Sequence, residues 1–67
     1  LEDYKSAIND CNMAIKINPQ YGFAYLNRGI AREMLRYAEE ACSDWKKASD
    51  LGVVSAKSYL TNDCGGK

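Results

Sequence analysis

The chain has 67 residues, nine of them basic and nine acidic, so it carries no net charge. That length allows one domain at most, and charges interspersed in this way lack the clustered basic face that a nucleic-acid footprint needs. The absence of histidine removes the commonest general base and the commonest metal ligand, and no apolar run approaches the ~18 residues of a membrane span.

The apolar content of 46% at zero net charge argues against disorder. A core this small is still marginal, because below roughly 70–80 residues a single apolar core seldom supplies more than ~3–5 kcal/mol. No signal peptide is visible. The chain opens abruptly inside a helical pattern, which reads as an excised piece of a longer protein.

Between Leu1 and Ile17 the apolar residues Tyr4, Ala7, Ile8, Cys11, Ala14 and Ile15 recur at the spacing of one helix face. This predicts a first helix. Asn18-Pro19 stops it, since proline disfavours helical geometry in the residue before it. Tyr21-Gly22 continues the turn. A second helix is expected over about Phe23 to Leu35. Phe23, Leu26, Ile30 and Met34 line one side, and Ala24, Ala31 and Leu35 another, so this helix lies between neighbours. Gly29 in its middle costs ~1 kcal/mol against alanine. Close approach of a packed helix explains it, with Ala41 or Trp45 opposite.

Arg36-Tyr37 is the tight turn to a third helix, about Ala38 to Leu51. Ala38, Ala41, Cys42, Trp45 and Ala48 share one face of it. Glu39 and Glu40 near its start, and Lys46 and Lys47 towards its end, suit the helix dipole. Leu51-Gly52 forms its C-terminal cap. A short fourth helix runs from about Val54 or Ser55 to Asn62 with Ala56, Tyr59 and Leu60, and residues 65–67 form a tail.

Two stretches of the chain match at an offset of 34 residues: Leu1 with Leu35, Ala7 with Ala41, Asp10 with Asp44, Ala14 with Ala48. The second and fourth helices match likewise, Tyr25 with Tyr59 and Leu26 with Leu60. A period of this size marks stacked helical hairpins, none able to bury its apolar face alone.

These residues carry a resemblance to tetratricopeptide repeat proteins. Ala24-Tyr25-Leu26-Asn27-Arg28-Gly29 resembles the first-helix signature of that repeat. Ala41, Trp45 and Ala48 resemble the small–large–small signature of its second helix, as do Ala7, Cys11 and Ala14 one period earlier, and Asn18-Pro19 matches its closing proline. The resemblance implies an all-α fold of about four helices, in antiparallel hairpins of a right-handed superhelix. Residues 1–19 are then the second helix of an incomplete repeat, residues 22–52 one complete repeat, and residues 54–64 a C-terminal capping helix. Three positions depart from the pattern: Arg36 stands where the family keeps a turn glycine, Arg32 replaces an aromatic, and Val53 replaces the closing proline. The run Ala41 to Leu51 is also similar to Sel1-like repeats, but a period of 34 without extra loop residues favours the tetratricopeptide reading.

In that family the first helices of successive repeats line a concave groove that binds extended peptides or partner helices. Carried over, the groove exposes Phe23, Asn27, Ile30, Glu33 and Met34 from one helix, and Lys57 and Thr61 from the next. The Asn27 amide can bond a peptide backbone through donor and acceptor together, and Lys57 can meet a carboxylate. Ile30 and Met34 either form an adaptable apolar patch or belong to the core. Asn27 and Lys57 fall where chaperone-tail-binding members clamp a terminal carboxylate, but Thr61 stands where those members keep arginine, so a full clamp is not expected.

The remaining residues read as structure. Trp45 is expected as a core anchor and Cys11 as a buried thiol. Asp44, with Lys46 or Lys47, reads as helix-surface charge. Cys11, Cys42 and Cys64 lack the C-x-x-C spacing of a zinc site. Cys42 and Cys64 approach only if the capping helix packs back on the third helix, and an oxidising compartment would then allow a disulfide. No carboxylate pair stands out as acid and base, and Gly65-Gly66-Lys67 lacks the strand and helix of a phosphate loop. The chain therefore reads as a non-enzyme without metal or cofactor. It binds a protein or peptide, with no nucleic-acid or membrane partner. The alternative is self-association through the uncovered side of the first helix.

Overall fold

In the computed structural model, residues 3–64 are described; Leu1, Glu2 and the expected tail 65–67 lie outside them. The elements are α1 (Tyr4–Ile17), α2 (Gly22–Met34), α3 (Ala38–Asp50) and α4 (Ala56–Tyr59), the last continuing into a π-helical turn (Leu60–Cys64). There is no strand among the described residues. The fold is all-α, with antiparallel helical hairpins of tetratricopeptide-like form.

Two boundaries differ from the sequence reading. Helix α1 starts at Tyr4 rather than Leu1, because Asp3 caps it: its carboxylate accepts from the Ser6 backbone N–H at 3.1 Å and from the Ser6 hydroxyl at 2.8 Å. These bonds from Ser6 hold the Asp3 carboxyl below its ordinary range. At the other end the fourth helix keeps α-helical winding only to Tyr59 and then widens through Cys64.

The helix ends follow local chemistry. Asn18 ends α1 in extended geometry ahead of Pro19, and its side-chain oxygen accepts from the Gln20 N–H at 3.1 Å. The Tyr25 hydroxyl donates to the Pro19 carbonyl at 3.2 Å, fastening this turn to α2. Helices α2 and α3 end alike. Beyond α2 the Tyr37 N–H reaches the Arg32 carbonyl at 2.8 Å, and beyond α3 the Val53 N–H reaches the Ala48 carbonyl at 3.0 Å. Such caps place the residue between in the left-handed region. At α3 it is Gly52, with φ +96°; at α2 it is Arg36, with φ +70°.

Core packing rests on small residues around one large one. Trp45 is 1% exposed, among Ala41, Ala48 and Ala56 at 0%. Its indole lies against Gly29, where a Cβ would come within 2.5 Å of the indole nitrogen. Tyr59 of α4 stacks on it at 5.0 Å between ring centroids. Gly22 likewise lets the start of α2 meet the α3–α4 loop, since a Cβ there would sit 2.7 Å from Val53 Cγ2.

Asp44 corrects the surface-charge reading, being buried at 3% exposure. One of its oxygens accepts from Arg28 Nη2 at 2.7 Å, the other from Arg28 Nε and Arg32 Nη1, each at 3.0 Å. Arg28 Nη1 also donates to Asn12 of α1 at 2.8 Å, so one guanidinium joins three helices. The bidentate fork suits arginine, and the bond to Asp44 raises the Arg28 pKa. Arg32, out of place as a missing aromatic, is the second arm of this pair.

Helix α1 is covered on one side only. None of its residues is buried, and Cys11, expected as a buried thiol, is half-buried and free. One period later the equivalent Ala41, Trp45 and Ala48 are fully enclosed, because α3 has α2 on one side and α4 on the other. Cys42 and Cys64 are joined by a disulfide across 22 residues. Loop closure of that length is worth about 3 kcal/mol in the chain-entropy account.

Two stability measurements check this account. Asp44→Asn should cost about 2–3 kcal/mol in urea unfolding, less than for a sealed ion pair because the arginine side chains are 17% and 24% exposed. Asp10→Asn, at the exposed equivalent position, should stay within about 0.5 kcal/mol. Arg36→Gly should raise stability by a few tenths to about 1 kcal/mol, the relief of left-handed strain being partly offset by the freer unfolded chain.

Candidate peptide-binding groove

Helix α2 turns Gly22, Ala24, Leu26, Gly29 and Ala31 inward. What remains outward is the stripe Phe23, Asn27, Ile30 and Met34, spaced four, three and four residues apart on one helical face. Phe23 and Met34, at its two ends, are each 54% exposed. Asn27 is exposed and Ile30 half-buried. Ile30 packs against the edge of the core cluster, so its two readings merge: its inner side is core and its outer side surface.

Lys57 and Thr61 are both exposed. Lys57 belongs to α4 and Thr61 to the π-helical turn, so the wider winding starts between them and their four-residue spacing is not that of one α-helical face. Glu33 and Met34 line a cavity of about 620 Å³ at the end of α2, together with Arg36 and Ala38. The other five expected residues do not line it.

The π-helical turn brings Asp63 to Glu33. Partial burial pushes the Glu33 carboxyl up from its ordinary value, and the neighbouring Asp63 carboxylate adds to it. Sequence reasoning missed this pairing. Nothing in the α-helical period places residue 63 beside residue 33, because the contact depends on where the winding widens. Around the stripe, Tyr21 meets Phe23 edge-on at 6.5 Å between centroids, enlarging the aromatic surface at the start of α2.

Chemically, the outer side of α2 offers an apolar stripe and an amide, with the Glu33 and Asp63 carboxylates near its C-terminal end. Among the described residues no three His, Cys, Asp or Glu side chains gather as a metal site, and no helix is long and apolar enough to cross a membrane.

Over 53 residues the chain is 42% identical to RNA polymerase II-associated protein 3 of Xenopus tropicalis, a match that spans 79% of this chain and 8% of that protein. It is 39% identical over 51 residues to the DnaJ homolog subfamily C member 7 homolog of Dictyostelium discoideum, covering 76% of this chain and 10% of that protein. Heat shock protein STI1 of Saccharomyces cerevisiae matches at 39% over 51 residues, 76% of this chain and 9% of that protein. These relatives contain tetratricopeptide repeats. The chain spans a tenth or less of the length of each. No family model and no solved structure matches it.

Removing one charge of the Glu33–Asp63 pair tests the local electrostatics. A carboxyl whose folded pKa is raised stabilises the fold as pH falls from the folded to the unfolded value, and weakens it once both forms are ionised. Asp63→Asn should therefore add up to about 0.5 kcal/mol at neutral pH, and the gain should vanish in acid as Glu33 takes its proton. A carboxyl-detected NMR titration should show the Glu33 pKa falling towards its ordinary value of 4.5 in the variant.

Proposed function

We propose that this chain is a tetratricopeptide repeat unit that binds a protein or peptide through the outer face of α2 and α4, without enzymatic activity of its own. In this reading α2 and α3 form the complete repeat. Helix α1 is the second helix of an incomplete repeat, and α4 with its π-helical turn is the capping helix. The carrying observation is the α2 stripe: a helix closely packed on one side keeps Phe23 and Met34 more than half exposed on the other. Large apolar side chains held on a rigid element are the usual anchors of an interface. Asn27 lies between them to bond an extended backbone, and Lys57 offers a cation for a carboxylate. Two relatives whose names mark them as heat shock and DnaJ proteins support a chaperone-related partner. Thr61, in place of an arginine, argues for a weaker single-point contact with a peptide carboxylate than a two-sided clamp.

Self-association through α1 is the second reading. Its support is the half-exposed stripe of Tyr4, Ala7, Ile8, Cys11, Ala14 and Ile15, in which the α3 equivalents of Ala7, Cys11 and Ala14 are enclosed. Met13 and Ile17 on the same helix are 59% and 78% exposed.

One experiment separates the two. Peptides ending in a free carboxylate, and the same peptides amidated, are titrated into the labelled chain and followed by NMR. Groove binding predicts shifts on Phe23, Asn27, Ile30, Met34, Lys57 and Thr61. Phe23→Ala should weaken binding about tenfold or more, and Lys57→Gln should remove the preference for the free carboxylate. Shifts confined to Tyr4–Ile15, with a dimer in sedimentation that Ile8→Glu dissolves, would favour self-association instead.

A further inference from the structure

The last turn of the chain is held differently from the rest. Leu60–Cys64 contains no buried residue. It touches α3 and α4, and Leu60 and Cys64 reach the core cluster only from its edge. Its one strong attachment is the bond from Cys64 to Cys42 of α3. A tether that stands in for packing is sensitive to its own chemistry, because little else keeps the segment in place when it opens.

That bond is also within reach. Both cysteines are half-buried rather than enclosed, and a cavity of about 610 Å³ opens beside them, lined by Cys42, Ser43, Lys46, Leu60 and Cys64. Leu60 gives it an apolar wall. Lys46 stands one helical turn beyond Cys42 on α3, with its side chain 72% exposed and only a long contact of 3.8 Å to Asp50. Its ammonium is therefore free to attract an incoming thiolate and to favour the thiolate form of Cys42. The third cysteine has no such surroundings: Cys11 on α1 is unbonded, and burial raises its pKa.

We propose that Cys42–Cys64 is a thiol–disulfide exchange site, opened in the folded protein by a thiol of the glutathione class entering the cavity beside Lys46. The thiolate attacks Cys64 Sγ, a mixed disulfide forms with Cys64, and Cys42 leaves as a thiolate beside the Lys46 ammonium. A second thiolate attacks the glutathione sulfur of that mixed disulfide, and Cys64 leaves in turn. Both cysteines take the protons given up by the two thiols. In sum, one protein disulfide and two thiols become two protein thiols and one oxidised thiol dimer. Opening frees Leu60–Cys64 from α3 while the α2–α3 hairpin, closed around Trp45, stays folded. Thr61 travels with the freed segment, so one wall of the face proposed above would come and go with redox state. That consequence rests on the binding reading; the exchange chemistry does not.

The test is reduction of the oxidised chain by glutathione, with aliquots quenched by iodoacetamide and the alkylated cysteines located by mass spectrometry. Exchange in the folded state predicts a rate in buffer within about tenfold of the rate in strong urea, since access does not await unfolding. Lys46→Gln should slow the native rate several-fold and leave the rate in urea unchanged, and Lys46→Arg should restore it. Hydrogen exchange on the reduced chain should show protection lost over residues 60–64 and retained over Gly22–Asp50. A native rate roughly a thousandfold below that in urea, in proportion to the folded-to-unfolded ratio of a marginal domain, would overturn the proposal. So would an unchanged rate in Lys46→Gln, or loss of protection throughout α2 and α3 on reduction. None of these readouts involves a peptide ligand, so failure of the binding reading would leave them standing.

Discussion

Three helices meet on the indole of Trp45. It comes from α3, lies in the space that Gly29 leaves open on α2, and is covered by Tyr59 of α4. Its neighbours are alanines, so the surrounding backbones come close and the core consists largely of one aromatic ring and the short side chains around it. Interiors pack like organic crystals, and a ring of this size leaves no freedom in the spacing of its neighbours. Even its indole nitrogen is buried without a hydrogen-bond partner, a cost of roughly 1–3 kcal/mol accepted for the close fit. Substituents on α2 and α3 have to respect that fit, which is why glycine occupies the middle of a helix where alanine would be the better helix former.

The ends of the chain use other means to stay attached. At one end Arg28 reaches from α2 to Asp44 on α3 and to Asn12 on α1, so a polar clamp reinforces a contact to which α1 contributes no buried residue. At the other end a disulfide holds a turn with no buried side chain. Both follow from size: with fewer than roughly 80 residues, apolar burial cannot serve the middle and both ends together. The same shortage leaves the α1 stripe half open. In a repeat stack each helix face is completed by a neighbour, and the contrast between Cys11 and Trp45, one period apart, measures what a second neighbour adds.

The candidate binding face is the complement of this packing. Once small residues have been drawn inward on α2, the residues left outward at helical spacing are Phe23, Asn27, Ile30 and Met34. Their order along the helix is set by the inner face, since both faces share one period. The face is therefore rigid where it is borne by α2. In the reading proposed above, its second wall at the π-helical turn would depend on the disulfide.

Helix existence, order and phase were legible in the residues. Apolar spacing, Asn18-Pro19 and the offset of 34 are local or periodic properties that need no knowledge of what packs where. A glycine in mid-helix pointed to a close approach of Ala41 or Trp45, of which the structure brings Trp45, and the departure from glycine at Arg36 flagged the turn that proves left-handed. Tertiary structure decided what depends on pairs distant in sequence. Asp44 reads as a surface charge until Arg28 and Arg32 are seen above it, because one-dimensional spacing on α3 says nothing of side chains on α2. Whether Cys42 meets Cys64, and whether Asp63 meets Glu33, turns on where the last helix widens from α to π winding. No residue pattern within Leu60–Cys64 announces that widening.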